Sequence, residues 1–168
     1  FGEGYLRDSV GEALSPGYGT LPAQDGRAVI EHTSANPNGP LHVGHIRNTL
    51  IGDCLARAFR KAGYRVETHY YVNDMGRQIA IVVWAVDRSG PGDAGEKGDD
   101  RIARAYIQAN RDLEGSPGSA PEIDRLMQKV EAGDPEVTRK FRTAVTICLD
   151  GIKKTLSDLG VSHDRFIW

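Results

Sequence analysis

The spacing of apolar residues predicts two strands and two helices in alternation between residues 27 and 88. Residues 27–33 and 65–72 are short β-type runs. A helix is predicted between them, because apolar residues recur there at helical spacing: Val43, Ile46, Leu50, Cys54, Leu55, Ala58, Phe59 and Ala62. Gly63 follows where a carboxyl-terminal cap belongs. The apolar pattern of residues 73–88 predicts a second, largely apolar helix, capped by Asn73 and Asp74.

This order indicates a βαβ unit, so we predict an α/β fold with a parallel sheet and a right-handed crossover. A Gly-rich loop at residues 89–98 precedes three predicted helices at residues 99–113, 121–132 and 135–159. The expected division is an irregular lead-in at 1–26, the βαβ unit at 27–88, a loop and helical insertion at 89–160, and the start of a return strand at 161–168. The lead-in is expected to hold at most a short strand or helical turn.

Composition is typical of a soluble globular domain, with 39% hydrophobic and 26% charged residues among 168. The net charge of -2 argues against a basic nucleic-acid-binding module. Neither a membrane-spanning run nor a signal peptide is visible. Cys54 and Cys148 are predicted to be buried, reduced thiols, which suits a cytoplasmic protein. Because the chain starts at Phe1 and ends at Trp168 inside an apolar stretch, we expect it to be a fragment.

Residues 31–47 carry the clearest chemistry, since a strand ends there, the chain turns, and a helix begins at His42. The amino terminus of a helix exposes unpaired N–H groups and binds phosphate. His42 and His45 lie three residues apart and can both donate to phosphate oxygens, while Gly44 leaves room for a base or ribose. Such donors suit attack on an α-phosphate with pyrophosphate leaving, because negative charge grows on the phosphate oxygens.

The run His42-Val43-Gly44-His45 resembles the first signature of class I aminoacyl-tRNA synthetases. Residues 34–53 resemble the arginine members of that family, and residues 71–78 resemble a second block of theirs. The resemblance covers residues 27–88 well and the helical remainder loosely. It implies the first half of a Rossmann-type catalytic domain that uses ATP, with Mg²⁺ expected beside the triphosphate.

The resemblance also implies roles for individual residues. His42 and His45 would be catalytic, and ATP would be bound by Pro40, His42, Gly44 and His45. Arginine would be bound by Glu31, Ser34 and Asn36. A fixed carboxylate suits a guanidinium, although Glu31 could equally meet the α-ammonium group. Asn73, Asp74, Gly76 and Gln78 follow the second strand and would border or brace the arginine pocket.

Other family features are not found in these residues: the second ATP signature, a Tyr and Asp pair of the arginine pocket, and the anticodon-binding domain. The resemblance therefore implies arginine and tRNA as partners, with tRNA contacted mainly outside this chain, and an inactive fragment. An uncovered sheet edge and apolar surface would favour self-association.

Simpler interpretations stay open at this stage. His42 and His45 could be ordinary helix-start residues; no third ligand joins them, so no metal site is predicted. Glu31 could form a structural ion pair with an arginine of the first helix. His32 and His69 are expected to face solvent, and His163 to cap or follow the last helix. The competing functions are another His-x-Gly-His nucleotidyltransferase, another class I synthetase, and a non-catalytic synthetase-like binding module.

Overall fold

A computed structural model of the protein describes residues 2–89, 95–115 and 120–168. The elements in chain order are α1 (Glu3–Ala13), β1 (Arg27–Glu31), α2 (Val43–Lys61), β2 (Arg65–Tyr71), α3 (Arg77–Ser89), α4 (Gly98–Gly115), α5 (Ala120–Glu131), α6 (Pro135–Asp158) and β3 (Arg165–Ile167). The three predicted helices after the Gly-rich loop and the return strand are confirmed. Most of the loop predicted at residues 89–98 lies outside the described residues.

The strands form one parallel sheet in the order β1-β2-β3. Glu31 at the end of β1 pairs with His69, and His69 in turn pairs with Arg165 at the start of β3. The α/β fold with a parallel sheet and a helical insertion is therefore confirmed. β2 is central and β1 lies at an edge. Because the two strands are parallel, their carboxyl ends lie at the same end of the sheet, where the chain leaves β1 for α2.

The main hydrophobic core surrounds α3 rather than lying under α2. Residues 79–85 of α3 are all buried, because α4, α5 and α6 pack around this helix. A helix that is apolar on nearly every side is stable only when neighbours enclose it. Phe141, Val145, Leu149 and Ile152 supply the facing surface from α6.

The apolar face of α2 is largely exposed, so the predicted burial of Cys54 is wrong. Cys54 is exposed, whereas Cys148 is buried as predicted. The residues of α2 that are buried are small: Thr49, Gly52 and Ala56. The large apolar side chains point away from the sheet, and the described residues leave them uncovered: Val43, Leu50, Ile51, Leu55 and Phe59.

Residues 1–26 differ from the predicted irregular lead-in, because α1 is an eleven-residue helix. None of its residues is buried. The chain that follows lies along the end of α2, where Lys61 Nζ donates to the carbonyls of Pro16 and Tyr18 at 3.3 and 3.0 Å. Gly63 has a φ of 89°, and a side chain there would collide with the Pro22 carbonyl. In the part of the chain that the structure describes, no helix is long and apolar enough to span a membrane.

Candidate substrate-binding site

A tight turn follows β1 and brings Ser34 back onto Glu31. The Ser34 amide donates to the His32 carbonyl at 3.0 Å, and Thr33 between them has a φ of 69°. This is a γ-turn with a positive central φ, the rarer and more strained form. The Ser34 hydroxyl donates to Glu31 Oε1 at 2.9 Å and accepts from the Tyr71 amide at 3.0 Å. The carboxylate and the hydroxyl therefore form one exposed polar surface.

Asn36 is held from both sides by the segment after β2. Its Nδ2 donates to Gln78 Oε1 at 2.9 Å, and its Oδ1 accepts from Asn73 Nδ2 at 3.1 Å. Because Asn73 and Gln78 are amides as well, these two bonds fix the orientation of the Asn36 amide relative to theirs. One acceptor site on Oδ1 and one N–H on Nδ2 stay available for a ligand.

The rest of the second block lies beside this contact, but it does not cap α3 as predicted. Asp74 does not cap α3, because the helix begins three residues later at Arg77. Gly76 precedes it with a φ of 94°, a conformation that favours glycine, and its carbonyl accepts from the Ala80 amide. The reversal of the chain at Gly76 delays the start of the helix and leaves Asp74 in the connecting loop.

The turn at residues 35–41 rests on the helical insertion. The buried Tyr70 hydroxyl donates to the Ala35 carbonyl at 2.9 Å, and burial raises the pKa of Tyr70. Cys148 Sγ of α6 lies 3.7 Å from the Gly39 carbonyl. A side chain at Gly39 would come within 3.2 Å of Ala103 Cβ in α4. Two helices of the insertion thus support the turn that leads to exposed Pro40 and into α2.

The two histidines at the start of α2 cap the helix reciprocally. His42 Nδ1 accepts from the amides of Gly44 and His45 at 3.1 and 3.3 Å, and His45 Nδ1 accepts from the His42 amide at 3.3 Å. The rings stack with centroids 3.6 Å apart. Since each Nδ1 accepts, each neutral ring carries its proton on Nε2 and can donate outward. Burial, and then the neighbouring His42, lowers the pKa of His45, which favours this neutral form.

Glycine is required at position 44 for a local structural reason, in addition to the predicted closeness of Gly44 to adenosine. A β-carbon at Gly44 would lie 2.9 Å from His42 Cε1 and 3.1 Å from His42 Nδ1. Glycine therefore allows the His42 ring to fold back over the helix terminus. The capping arrangement and the open surface above it both depend on this position.

His32 and His163 are the site-forming residues that the sequence interpretation missed. His32 is 2% exposed, not solvent-facing, and its ring lies 4.2 Å from that of His163. Strand alternation could have revealed this, because His32 is in phase with the inward residues Ala28 and Ile30, whereas Glu31 is in phase with the outward ones. His69, also expected to face solvent, is partly buried and bonds Glu67 at 3.1 Å.

Glu31 does not form the alternative ion pair with an arginine of α2. Arg57 instead pairs with Asp53 at 2.6 Å. Within residues 2–89, 95–115 and 120–168, no group of three or more His, Cys, Asp or Glu side chains is arranged to hold a metal ion. The structure thus places Glu31, Ser34 and Asn36 at and after the end of β1, and the paired histidines at the start of α2.

Comparison with known proteins identifies similar chains. Residues 14–166 match the family model described as tRNA synthetases class I (R), catalytic domain. An arginine--tRNA ligase of Methanoregula boonei is 59% identical over 170 residues, covering 100% of this chain and 30% of the relative. One from Archaeoglobus fulgidus is 50% identical over 166 residues, covering 98% of this chain and 30% of the relative. The chain thus spans about 30% of the length of these curated relatives.

Solved structures give the same picture. The arginyl-tRNA synthetase of Thermus thermophilus aligns with a TM-score of 0.76 and 32% identity, covering 96% of this chain and 26% of that one. The Plasmodium falciparum enzyme aligns with a TM-score of 0.66 over 86% of this chain and 24% of that one, and at 18% identity it supports the fold alone. The fold around the site is therefore shared across distant sources.

Proposed function

The chain belongs to the family of class I tRNA synthetase catalytic domains of the arginine type, and from this we propose that it supplies one part of the active site of an arginine–tRNA ligase. The relatives that bear this name are about three times as long, at 30% coverage. We therefore expect this chain to bind substrates without completing the reaction by itself. The division into a βαβ unit at 27–88 and an insertion at 89–160 is part of the same proposal.

The reaction would begin with adenylation of arginine. A carboxylate oxygen of arginine attacks the α-phosphorus of ATP, a new O–P bond forms, and the bond to the pyrophosphate oxygen breaks. His42 and His45 would donate from Nε2 to phosphate oxygens as negative charge grows on them. Mg²⁺ is expected to accompany the triphosphate. Pro40 and Gly44 would leave the nucleotide an open path to the start of α2.

Arginine would bind at the ends of β1 and β2. The Glu31 carboxylate offers one oxygen to the Ser34 hydroxyl and keeps the other acceptor positions for a cationic group of arginine. Asn36 would contact the ligand directly. Asn73 and Gln78 would orient Asn36, and the loop carrying Asp74 and Gly76 would border the pocket.

The second step would pass the arginyl group to tRNA, with most of the tRNA contacts outside this chain. We also propose that the protein acts in the cytoplasm, where its unpaired thiols stay reduced. The apolar face of α2 and the open edge of β1 would make the isolated chain self-associate.

The single observation that carries this proposal is the pair of capping histidines at the start of α2, whose His45 carbonyl is linked through Thr49 and Thr33 to the turn that holds the Glu31–Ser34 pair. Calorimetry of this chain with arginine, lysine and ATP tests it. Glu31→Gln should weaken arginine binding at least about tenfold, since a charged hydrogen bond contributes roughly 1.5–3 kcal/mol. His45→Ala should weaken ATP binding and leave arginine binding unchanged.

Matched controls are available for both variants. Glu131→Gln changes an exposed glutamate at the end of α5, and Gln108→Ala removes an exposed polar side chain of α4; neither should affect the ligands. ATP binding without any preference between arginine and lysine would contradict the arginine part and favour another nucleotidyltransferase. Binding of neither ligand would contradict the proposal that these sites are preformed in this chain.

A further inference from the structure

Four polar side chains meet beneath the turn that follows β1: His32, Thr33, Thr49 of α2 and His163 before β3. We call them the histidine–threonine cluster. Thr33 Oγ1 lies 3.0 Å from His32 Nδ1, 2.9 Å from Thr49 Oγ1 and 3.4 Å from His163 Nε2. His32, Thr33 and Thr49 are all buried, with exposures of 2%, 4% and 0%. Three separate parts of the chain thus converge on one hydroxyl.

The hydrogen-bond directions follow from two carbonyl oxygens, which can only accept. Thr49 Oγ1 donates to the His45 carbonyl at 2.9 Å, so its hydrogen is used and it accepts from Thr33. Thr33 in turn accepts from His32, which places the His32 proton on Nδ1. His163 Nε2 lies 3.2 Å from both the His32 carbonyl and His32 Nδ1, and it donates to the carbonyl. The bonds therefore run from His32 through Thr33 and Thr49 to His45.

The turn above this cluster needs support. Thr33 has a φ of 69° and Ser34 a φ of 37°, although neither is glycine. A β-branched residue with positive φ is a clear outlier and marks a strained backbone. Strained backbone persists only where the surroundings fix it more than once. The cluster does this, since it binds the Thr33 side chain from both β1 and α2.

We propose that the histidine–threonine cluster is a positioning device: it holds the strained Thr33–Ser34 turn and thereby sets the Ser34 hydroxyl and the Glu31 carboxylate for arginine. The inference rests on the arginine role proposed above. The same bonds end at the His45 carbonyl in the first turn of α2. The cluster therefore also fixes Glu31 and Ser34, which would bind arginine, relative to the phosphate-binding histidines. The four side chains of the cluster would not contact arginine themselves; they act by positioning Ser34 and Glu31.

The cluster is built for neutral imidazoles. His32 Nε2 and His163 Nδ1 are buried without a hydrogen-bond partner among the described residues, so a second proton on either ring would lack an acceptor. Burial lowers the pKa of both rings, to about 4 for His163, and Asp53 offsets this only in part. The other facing groups are the Tyr70 ring from β2 and Asp164, which Thr68 and Arg60 already engage.

Substitutions at Thr33 separate its hydroxyl from its shape. Thr33→Val keeps the branched side chain but loses the bonds, whereas Thr33→Ser keeps the hydroxyl and relieves the branching strain. Thr49→Val removes the next link in the chain of bonds. Thr146→Val, at an exposed position of α6, is the matched control. Two readouts are taken on each variant of this chain: arginine affinity by calorimetry, and hydrogen exchange of the Ser34 amide by NMR without ligand.

We expect Thr33→Val and Thr49→Val to speed Ser34 exchange and weaken arginine binding by about tenfold each, the effect of losing one buried hydrogen bond. Thr33→Ser and Thr146→Val should stay close to the unsubstituted chain. Imidazole ¹⁵N spectra should show the Nδ1–H form of His32 and the Nε2–H form of His163 at pH 7. Unchanged exchange in both valine variants, or the opposite tautomers, would overturn the inference.

The two proposals fail separately. If the unsubstituted chain does not bind arginine, the proposed function is wrong, and the exchange rates still decide whether the cluster holds the turn. If arginine binds but neither Ser34 amide exchange nor arginine affinity changes in the cluster variants, the proposed function stands and the positioning role is refuted. Should one valine variant unfold, the other and Thr33→Ser still give the comparison.

Discussion

Gly52→Ala tests how closely α2 must approach the end of β1. The Gly52 position faces His32, and an added β-carbon would overlap the His32 side chain, with ring Cδ2 at 2.8 Å. His32 cannot move away easily, because its ring lies between Thr33 and His163. The substitution should therefore push α2 away from the sheet or displace His32.

Two opposing effects determine how far Gly52→Ala changes the free energy of unfolding. Alanine within a helix is favoured over glycine by about 1 kcal/mol. Overpacking a well-filled site costs about 1–3 kcal/mol. We expect the second effect to exceed the first, with a net loss of about 1 kcal/mol in the free energy of unfolding. For a chain of this size that lowers Tm by about 2–4 °C.

Urea unfolding followed by circular dichroism measures the loss, and imidazole NMR signals report the displacement of His32. Gly11→Ala is the matched control, because Gly11 lies in α1 with nothing within 4 Å of an added β-carbon. The control should not be destabilised. If Gly52→Ala is as stable as the unsubstituted chain, with unchanged His32 signals, the close contact between α2 and His32 is not what holds the helix here.

Three further predictions concern other parts of the molecule. Tyr70→Phe should lower the unfolding free energy by about 1–2 kcal/mol, since the Ala35 carbonyl loses its donor, and urea titration measures this. His163 binds its proton more weakly when folded, with a pKa of about 4, than when unfolded, at 6.5. Its contribution is therefore complete above pH 6.5 and lost as pH falls towards 4; unfolding at several pH values should show a decline between them that His163→Phe makes smaller, while His32, whose pKa is lowered too, keeps part of it. Leu55→Lys should reduce self-association in sedimentation experiments, because it places a charge in the exposed apolar face of α2.

The first and the last of these have a control with similar chemistry. Tyr18→Phe changes an exposed tyrosine and should leave stability unchanged. Ile107→Lys changes an exposed isoleucine on α4 and should leave association unchanged. A decline between pH 6.5 and 4 that is equally large in His163→Phe would assign it to other groups. Association that is equal in Leu55→Lys would place the contact between copies elsewhere.

Local patterns were sufficient to predict the strands, the starts of α2, α4, α5 and α6 to within a residue, and the motif at His42. Each of these depends on residues close together in the chain: alternation in β1, helical spacing in α2, and a turn composition between them. The details that failed depend on distant contacts. Cys54 was placed on a buried face because helical spacing shows that a face is apolar, not whether anything covers it. The late start of α3 was missed because Gly76 adopts a positive φ that residue type permits but does not dictate.

The histidine–threonine cluster shows most clearly why the site could not be completed from sequence. His163 bonds the His32 carbonyl across 131 positions, and only the return of the chain through α6 to β3 brings them together. Asp164 then fixes the entry to β3, since it accepts from the Thr68 amide at 2.7 Å. The helical insertion therefore does more than extend the domain: it delivers His163 to the turn at Thr33, while Ala103 and Cys148 support the turn at Gly39. A change in the packing of the insertion should therefore shift the residues proposed to bind arginine, because both the turn at Thr33 and the turn at Gly39 rest on it.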